Sequence, residues 1–131
     1  MKRMHISIDV SNLEQSIGFY STLFAEPPTI RHGDYAKWML EDPRINFVVS
    51  QTSTATGLTH AGIQVENEAE LNAMFSRMTG ITTSTEDNQV CCYARSSKQW
   101  TKDPDGLEWE AFITHEQTET RWGDSPTQRC C

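Results

Sequence analysis

A seven-residue pattern occurs twice in this chain, and the recurrence constrains the fold more than any other feature. In MHISIDV, residues 4–10, Met4, Ile6, Ile8 and Val10 alternate with His5, Ser7 and Asp9. That period of two is a β-strand with one apolar and one polar face. In THAGIQV, residues 59–65, His60, Ile63 and Val65 repeat the spacing of His5, Ile8 and Val10. The segments downstream of the two copies also match. Asn12 offers an N-cap to an amphipathic helix marked by Leu13, Ile17, Phe19, Tyr20 and Leu23, which must end by Pro27-Pro28. In the second copy Leu71, Met74, Phe75 and Met78 form the apolar stripe of a helix over 68–78, closed by Gly80. Strands are expected at 29–32, 35–41 and 45–51 in the first half and at 81–85, 89–95 and 107–113 in the second. Asp42-Pro43 and Asp103-Pro104-Asp105-Gly106 supply the turns before the two final strands.

Both halves therefore read β-α-β-β-β. The expected fold is α+β: two βαβββ modules, about 1–55 and 56–114, forming one domain over 1–114. Neither half has enough apolar residues to bury a sheet alone, so the mixed sheet is expected to curve as an open barrel around a cavity lined by the histidine-bearing faces. The polar segment 115–131 reads as a flexible tail that ends in cysteines.

A chain of 131 residues needs no disulfide staples to hold a core. Its net charge of -7 and scattered Lys and Arg argue against nucleic acid as a partner. No apolar run approaches the roughly 20 residues of a membrane span, and Met1-Lys2-Arg3 passes straight into a strand, so a cytoplasmic protein is expected. The four cysteines form two adjacent pairs, Cys91-Cys92 and Cys130-Cys131. Neighbouring Cα atoms are about 3.8 Å apart, short of the roughly 4.4–6.8 Å of ordinary disulfides, so each pair should resist closing on itself. In a reducing compartment that leaves adjacent soft donors for a thiophilic metal or metalloid.

His5 and His60, from the first strands of the two halves, and Glu110, from the last strand, make a set of two imidazoles and one carboxylate. That set suits non-haem Fe(II) and leaves positions for substrate and O2. With Leu107 laid on Ile45 and Trp109 on Phe47, Glu110 falls opposite Val48, so one symmetry-related ligand is missing and the metal keeps an open face. On alternation alone Glu108 competes with Glu110 for this role. His32 and His115 read as solvated or structural.

The two-module pattern with His5, His60 and the DPDGLEWE segment resembles the vicinal oxygen chelate superfamily of glyoxalases, bleomycin-resistance proteins and extradiol dioxygenases. Cys91-Cys92 and the TKDPDG run resemble, within it, the organoarsenical carbon-arsenic lyases and the related cadmium-induced proteins. The resemblance implies an Fe(II)-dependent dioxygenase, with O2 as co-substrate, that cleaves the carbon-arsenic bond of small trivalent organoarsenicals such as methylarsenite. It implies His5, His60 and Glu110 as metal ligands and catalytic centre, and Cys91 and Cys92 as the substrate-binding pair. Trp100 and Lys102 are pocket candidates, and the loop expected at 96–102 should move on substrate binding. The family includes monomers and homodimers. Two other readings stand beside this one: a cadmium-induced-type protein that binds soft metal without catalysis, and another vicinal oxygen chelate enzyme, either an extradiol dioxygenase or glyoxalase-like.

Overall fold

Two copies of the strand-helix-three-strand order are present in a computed structural model that describes residues 1–52 and 55–123. The first comprises β1 (Arg3–Asp9), α1 (Leu13–Phe24), β2 (Ile30–His32), β3 (Tyr35–Glu41) and β4 (Arg44–Ser50). The second comprises β5 (Gly57–Gln64), α2 (Glu68–Met78), β6 (Thr82–Cys91), β7 (Ala94–Lys102) and β8 (Glu108–Gln117). The chain packs as two units, Arg3–Ala61 and Met1–Lys2 with the chain from Gly62 onward, so the division falls inside β5.

In the first unit the strands run β2-β3-β4-β1-β5, with β1 parallel to β4 and the β2/β3 and β3/β4 pairs antiparallel. Asn12 caps α1 by accepting a hydrogen bond from the Gln15 amide at 3.1 Å, and the helix ends at Ala25 in the left-handed region, φ 58°. Its inner face packs Leu13, Ile17, Tyr20 and Phe24 on Ile6, Ile8, Trp38, Phe47 and Val49. Four aromatic rings, Tyr20, Phe24, Trp38 and Phe47, meet edge-on or tilted except for the stacked Tyr20 and Phe24, and the Trp38 indole N–H donates to the Glu26 carbonyl at 3.0 Å. Trp38 is thus core.

In the second unit the order is β5-β8-β7-β6. Asn67 caps α2, accepting from the Glu70 amide at 2.9 Å and donating to the Glu70 carboxylate at 3.1 Å. Leu71, Met74 and Met78 pack on Val65, Ala111 and Ile113. Helices therefore cover the apolar strand faces in both units, which leaves the polar faces on the other side. Those polar faces are buried: His5, Ser7 and Asp9 on β1, and Lys98 and Glu110 on β7 and β8, are all inside.

The structure corrects two expectations. The reading of 89–95 as one strand fails because the chain reverses at Cys92 and Tyr93, with φ 52° and 62°, closing a two-residue hairpin between β6 and β7. The expected mobile loop at 96–102 is instead β7, hydrogen-bonded on both sides to β6 and β8. Its polarity suggested a loop, yet Ser97, Lys98 and Trp100 each have a polar partner on a neighbouring strand. Beyond the expected end at 113, β8 continues to Gln117, and residues 118–123 return to the hairpin. Residues 124–131, with Cys130 and Cys131, lie outside the described residues. No described helix is long and apolar enough to cross a membrane.

The turn that launches β8 is built on Asp103. Its carboxylate accepts from the Leu107 amide at 3.0 Å and the Asp105 amide at 2.9 Å, and Gly106 takes the φ of 92° that the turn requires. The Leu107 N–H, joined by those of Asp105 and Gly106 and by the Trp109 side chain, holds the Asp103 carboxyl below its ordinary range against the opposing effect of burial. A lowered native pKa stabilises the fold above the unfolded value and ceases to do so as pH falls through the native one. Asp103→Asn should therefore lower Tm at pH 7, with the gap to wild type closing as the medium is acidified below about pH 4. A gap independent of pH in thermal unfolding scans would refute this.

Candidate metal centre and cysteine hairpin

The histidines of the two recurrent strands meet inside the first unit. His5 and His60 are 5% and 4% exposed, and their Nε2 atoms are 3.1 Å apart. The role of each Nδ1 decides what that distance means. His5 Nδ1 lies 3.0 Å from the Asn46 carbonyl, which can only accept, so this nitrogen carries the hydrogen. The Thr59 hydroxyl gives its hydrogen to the Ser7 carbonyl at 3.0 Å, so it accepts from His60 Nδ1 at 3.2 Å. With the hydrogen on Nδ1 of each ring, the two Nε2 atoms face each other. Two lone pairs at that separation repel unless a proton or a cation lies between them, and a divalent metal fits such a donor pair.

The carboxylate face belongs to the second unit. Trp100 and Glu110 are directly opposed on β7 and β8, as are Lys98 and Phe112, so all four side chains share one face. Glu110 is 4% exposed, and its carboxylate pairs with the buried Lys98 ammonium at 3.0 Å. That ammonium also stands 5.6 Å from the ring centroids of both Trp100 and Phe112. The Trp100 indole N–H donates to Glu86 at 2.6 Å, which leaves the other Glu86 oxygen buried without a hydrogen-bond partner among the described residues.

Glu110 lies over Gly62. A Cβ at position 62 would fall 2.6 Å from the Glu110 carbonyl oxygen and 2.7 Å from its Cγ, so only glycine allows the two strands to approach this closely. Gly62 is two residues along β5 from His60 and therefore on the same strand face. Glu108, the rival carboxylate, is half-buried at the start of β8, and Lys102 is exposed opposite it.

The cysteines sit elsewhere on the second unit. Cys91 ends β6 opposite Ala94, whereas Glu110 is level with Trp100, six residues further along β7. At about 3.3 Å per residue the hairpin tip is roughly 20 Å along the strand from the Glu110 row. Cys91 is 2% exposed, and both Cys91 and Cys92 are disulfide-bonded, which corrects the expectation of uncommitted thiols. The returning segment covers this tip. The Thr118 amide donates to the Tyr93 carbonyl at 2.7 Å, Cys91 and Trp122 form a β-bridge, and the buried Arg121 guanidinium reaches the Cys92 sulfur at 3.8 Å.

A cavity of about 570 Å³ on the α2 side, lined in part by Leu71, Phe75, Asp87, Ser97 and His115, contains none of the predicted site residues. There the Ser97 hydroxyl is 2.9 Å from both Asp87 and His115.

Lys98, Glu86, Gly62 and Arg121 were not among the residues singled out from sequence. Alternation through Ser96, Lys98 and Trp100 carries a signal for Lys98 once that stretch is read as a strand. Arg121 carries none, because its contacts span about thirty residues of chain.

No family model matches the chain. Among curated proteins it is 42% identical over 136 residues to the trivalent organoarsenical cleaving enzyme of Bacillus sp. (strain MD1), covering all of this chain and 83% of that one. It is 32% identical to the enzyme of the same name from Thermomonospora curvata, covering all of this chain and 89% of that one. It is 33% identical to the cadmium-induced protein CadI of Mycobacterium bovis, covering 96% and 84%. In solved structures the fold resembles the H200Q variant of homoprotocatechuate 2,3-dioxygenase from B. fuscum, with TM-score 0.66, 14% identity and coverage of 91% of this chain and 34% of that longer one. It also resembles the Mn(II)-bound glyoxalase of Novosphingobium aromaticivorans, with TM-score 0.64, 12% identity and coverage of 92% and 42%. These distant likenesses establish the vicinal oxygen chelate fold; the curated relatives establish something narrower. With its recurrent histidine strands, glycine-backed carboxylate and adjacent cysteines, the chain belongs to the family of the trivalent organoarsenical cleaving enzymes and CadI.

Proposed function

We propose that this chain is an Fe(II)-dependent dioxygenase that cleaves the carbon-arsenic bond of trivalent organoarsenicals, with His5, His60 and Glu110 as metal ligands and Cys91 and Cys92 as ligands to arsenic. The observation that carries the metal assignment is the pair of buried Nε2 atoms that face each other at 3.1 Å, with Asn46 and Thr59 bonded to the other side of the two rings. In this reading Glu110, on the strand that crosses Gly62, is the carboxylate of the donor set. Two imidazoles and a carboxylate suit Fe(II), which when bound would supply the coordination and activation of O2. The arsenic assignment draws on the names of the curated relatives and on the affinity of soft trivalent arsenic for thiolates.

The chain's own residues have definite tasks in this reading. Asn46 and Thr59 hold the two rings in their tautomers, and Gly62 admits Glu110. Lys98 neutralises Glu110 and sets its direction, while Trp100 and Phe112 wall that face against water. A cytoplasmic setting supplies the reductant that returns Cys91 and Cys92 to thiols.

The separation of about 20 Å along β7 between the cysteine tip and the Glu110 row favours one second reading. In it the cysteines sequester a soft cation, as the name of the CadI relatives suggests, and no bond is cleaved. Anaerobic loading of the reduced protein with Fe(II), followed by air and methylarsenite, separates the two. Release of inorganic arsenite supports the lyase; stoichiometric binding without release supports sequestration. Replacing Cys92 by Ser should abolish demethylation while iron stays bound, and unchanged turnover would defeat the arsenic assignment. Gly62→Ala should weaken Fe(II) binding by roughly 10–100-fold, the range seen when groups supporting a ligand are lost, measured by metal titration of the apoprotein. Wild-type affinity in a folded Gly62→Ala protein would remove Glu110 from the ligand set.

A further inference from the structure

The segment 118–122 is pinned across the cysteine hairpin by three backbone contacts. Thr118 N–H donates to the Tyr93 carbonyl at 2.7 Å, Tyr93 N–H donates to the Arg121 carbonyl at 3.5 Å, and Trp122 bridges to Cys91. This return buries Arg121 to 8% exposure, with its guanidinium 5.3 Å from the Tyr93 ring centroid and 5.9 Å from that of Trp122. A guanidinium held between two aromatic rings has little freedom, and here it is aimed at Cys92, with Nη1 at 3.8 Å from the sulfur.

We infer that Arg121 is a positioning residue for Cys92: once the disulfide is reduced, its fixed positive charge holds the sulfur as thiolate and directs it at an incoming trivalent arsenical. The arsenical half rests on the function proposed above; the thiolate half does not. Thiolate, not thiol, is the nucleophile, and a cation beside the sulfur favours it. The other charged side chains near the tip oppose this little. Arg95 on β7 and Glu116 on β8 pair with each other at 3.2 Å, and Glu119 on the returning segment is exposed, where water screens it. The aromatic rings that cage Arg121 are neutral.

The chemistry balances. A dithiol donates two electrons and two protons to each S–S bond and is itself oxidised to a disulfide. Cys92 then sheds its proton to water, its sulfur forms an As–S bond, and an As–O bond breaks. The departing hydroxide takes up a proton and leaves as water, and arsenic stays trivalent throughout.

The test uses the full chain, reduced with dithiothreitol and desalted, with iodoacetamide as the probe and peptide mass spectrometry to follow Cys92 across a pH range of about 5–10. Arg121→Gln should move the midpoint of the alkylation profile up by about 0.5–1 pH unit and slow alkylation at pH 7 by about three- to tenfold, and Arg121→Lys should keep close to the wild-type profile. A glutamine profile that superimposes on wild type overturns the proposal. So does a lysine profile displaced as far as the glutamine one, because the effect would then be packing of the segment, not charge. Hydrogen exchange at the Thr118 amide reports whether the segment stays docked. Methylarsenite binding is measured on the same samples: normal alkylation profiles without arsenical binding would count against the proposed function and leave Arg121 in its role.

Discussion

Two buried imidazole nitrogens 3.1 Å apart, each ring held by a hydrogen bond on its far side, form the constraint around which the first unit is arranged. Burying such a pair costs free energy unless something positive is shared between them. The unit nevertheless holds them rigidly. His5 is clamped by the β4 backbone at Asn46, and His60 by a hydroxyl that is itself anchored on β1 through Ser7. A core selected for stability alone would place apolar residues here, as it does on the opposite strand faces under α1.

The second unit does the same with opposite charges. Lys98 and Glu110 bury an ion pair between β7 and β8, and the aromatic rings of Trp100 and Phe112 share the ammonium. Desolvating two ions offsets much of their attraction, so such a pair contributes little to stability. It does fix where the Glu110 carboxylate points. Gly62 makes the arrangement sterically possible, because any side chain there would collide with the Glu110 backbone, which cannot yield without disturbing the strand. The polar faces therefore carry the candidate ligands, and the helix-covered faces supply the stability.

The cysteine hairpin obeys a different rule. Adjacent residues on a strand point to opposite faces, so neighbouring sulfurs serve one purpose only where the chain leaves strand geometry. It does so at Cys92 and Tyr93, both with positive φ, and the returning segment at 118–122 holds that conformation through its contacts with Tyr93. A Cys-Tyr pair lacks the Asn or Gly that ordinarily announces such a turn, so local chemistry does not predict it.

Short-range physics decided everything that was legible in the chain. The alternation around His5 and His60, the asparagine cap at Asn12, the apolar stripe of α2 and the Asp-Pro turns before β4 and β8 place most elements of both modules, and the repeated histidine spacing identifies the candidate ligands. The polarity of SSKQW misled, because a strand interior of Ser, Ser and Lys is tolerated only when partners wait on its neighbours, and those partners, Asp87, His115 and Glu110, are distant in sequence. Which imidazole nitrogens face each other, how Lys98 finds Glu110, and how Arg121 comes to face Cys92 were decided by tertiary structure alone. Each depends on a contact between residues whose separation along the chain carries no periodic signal.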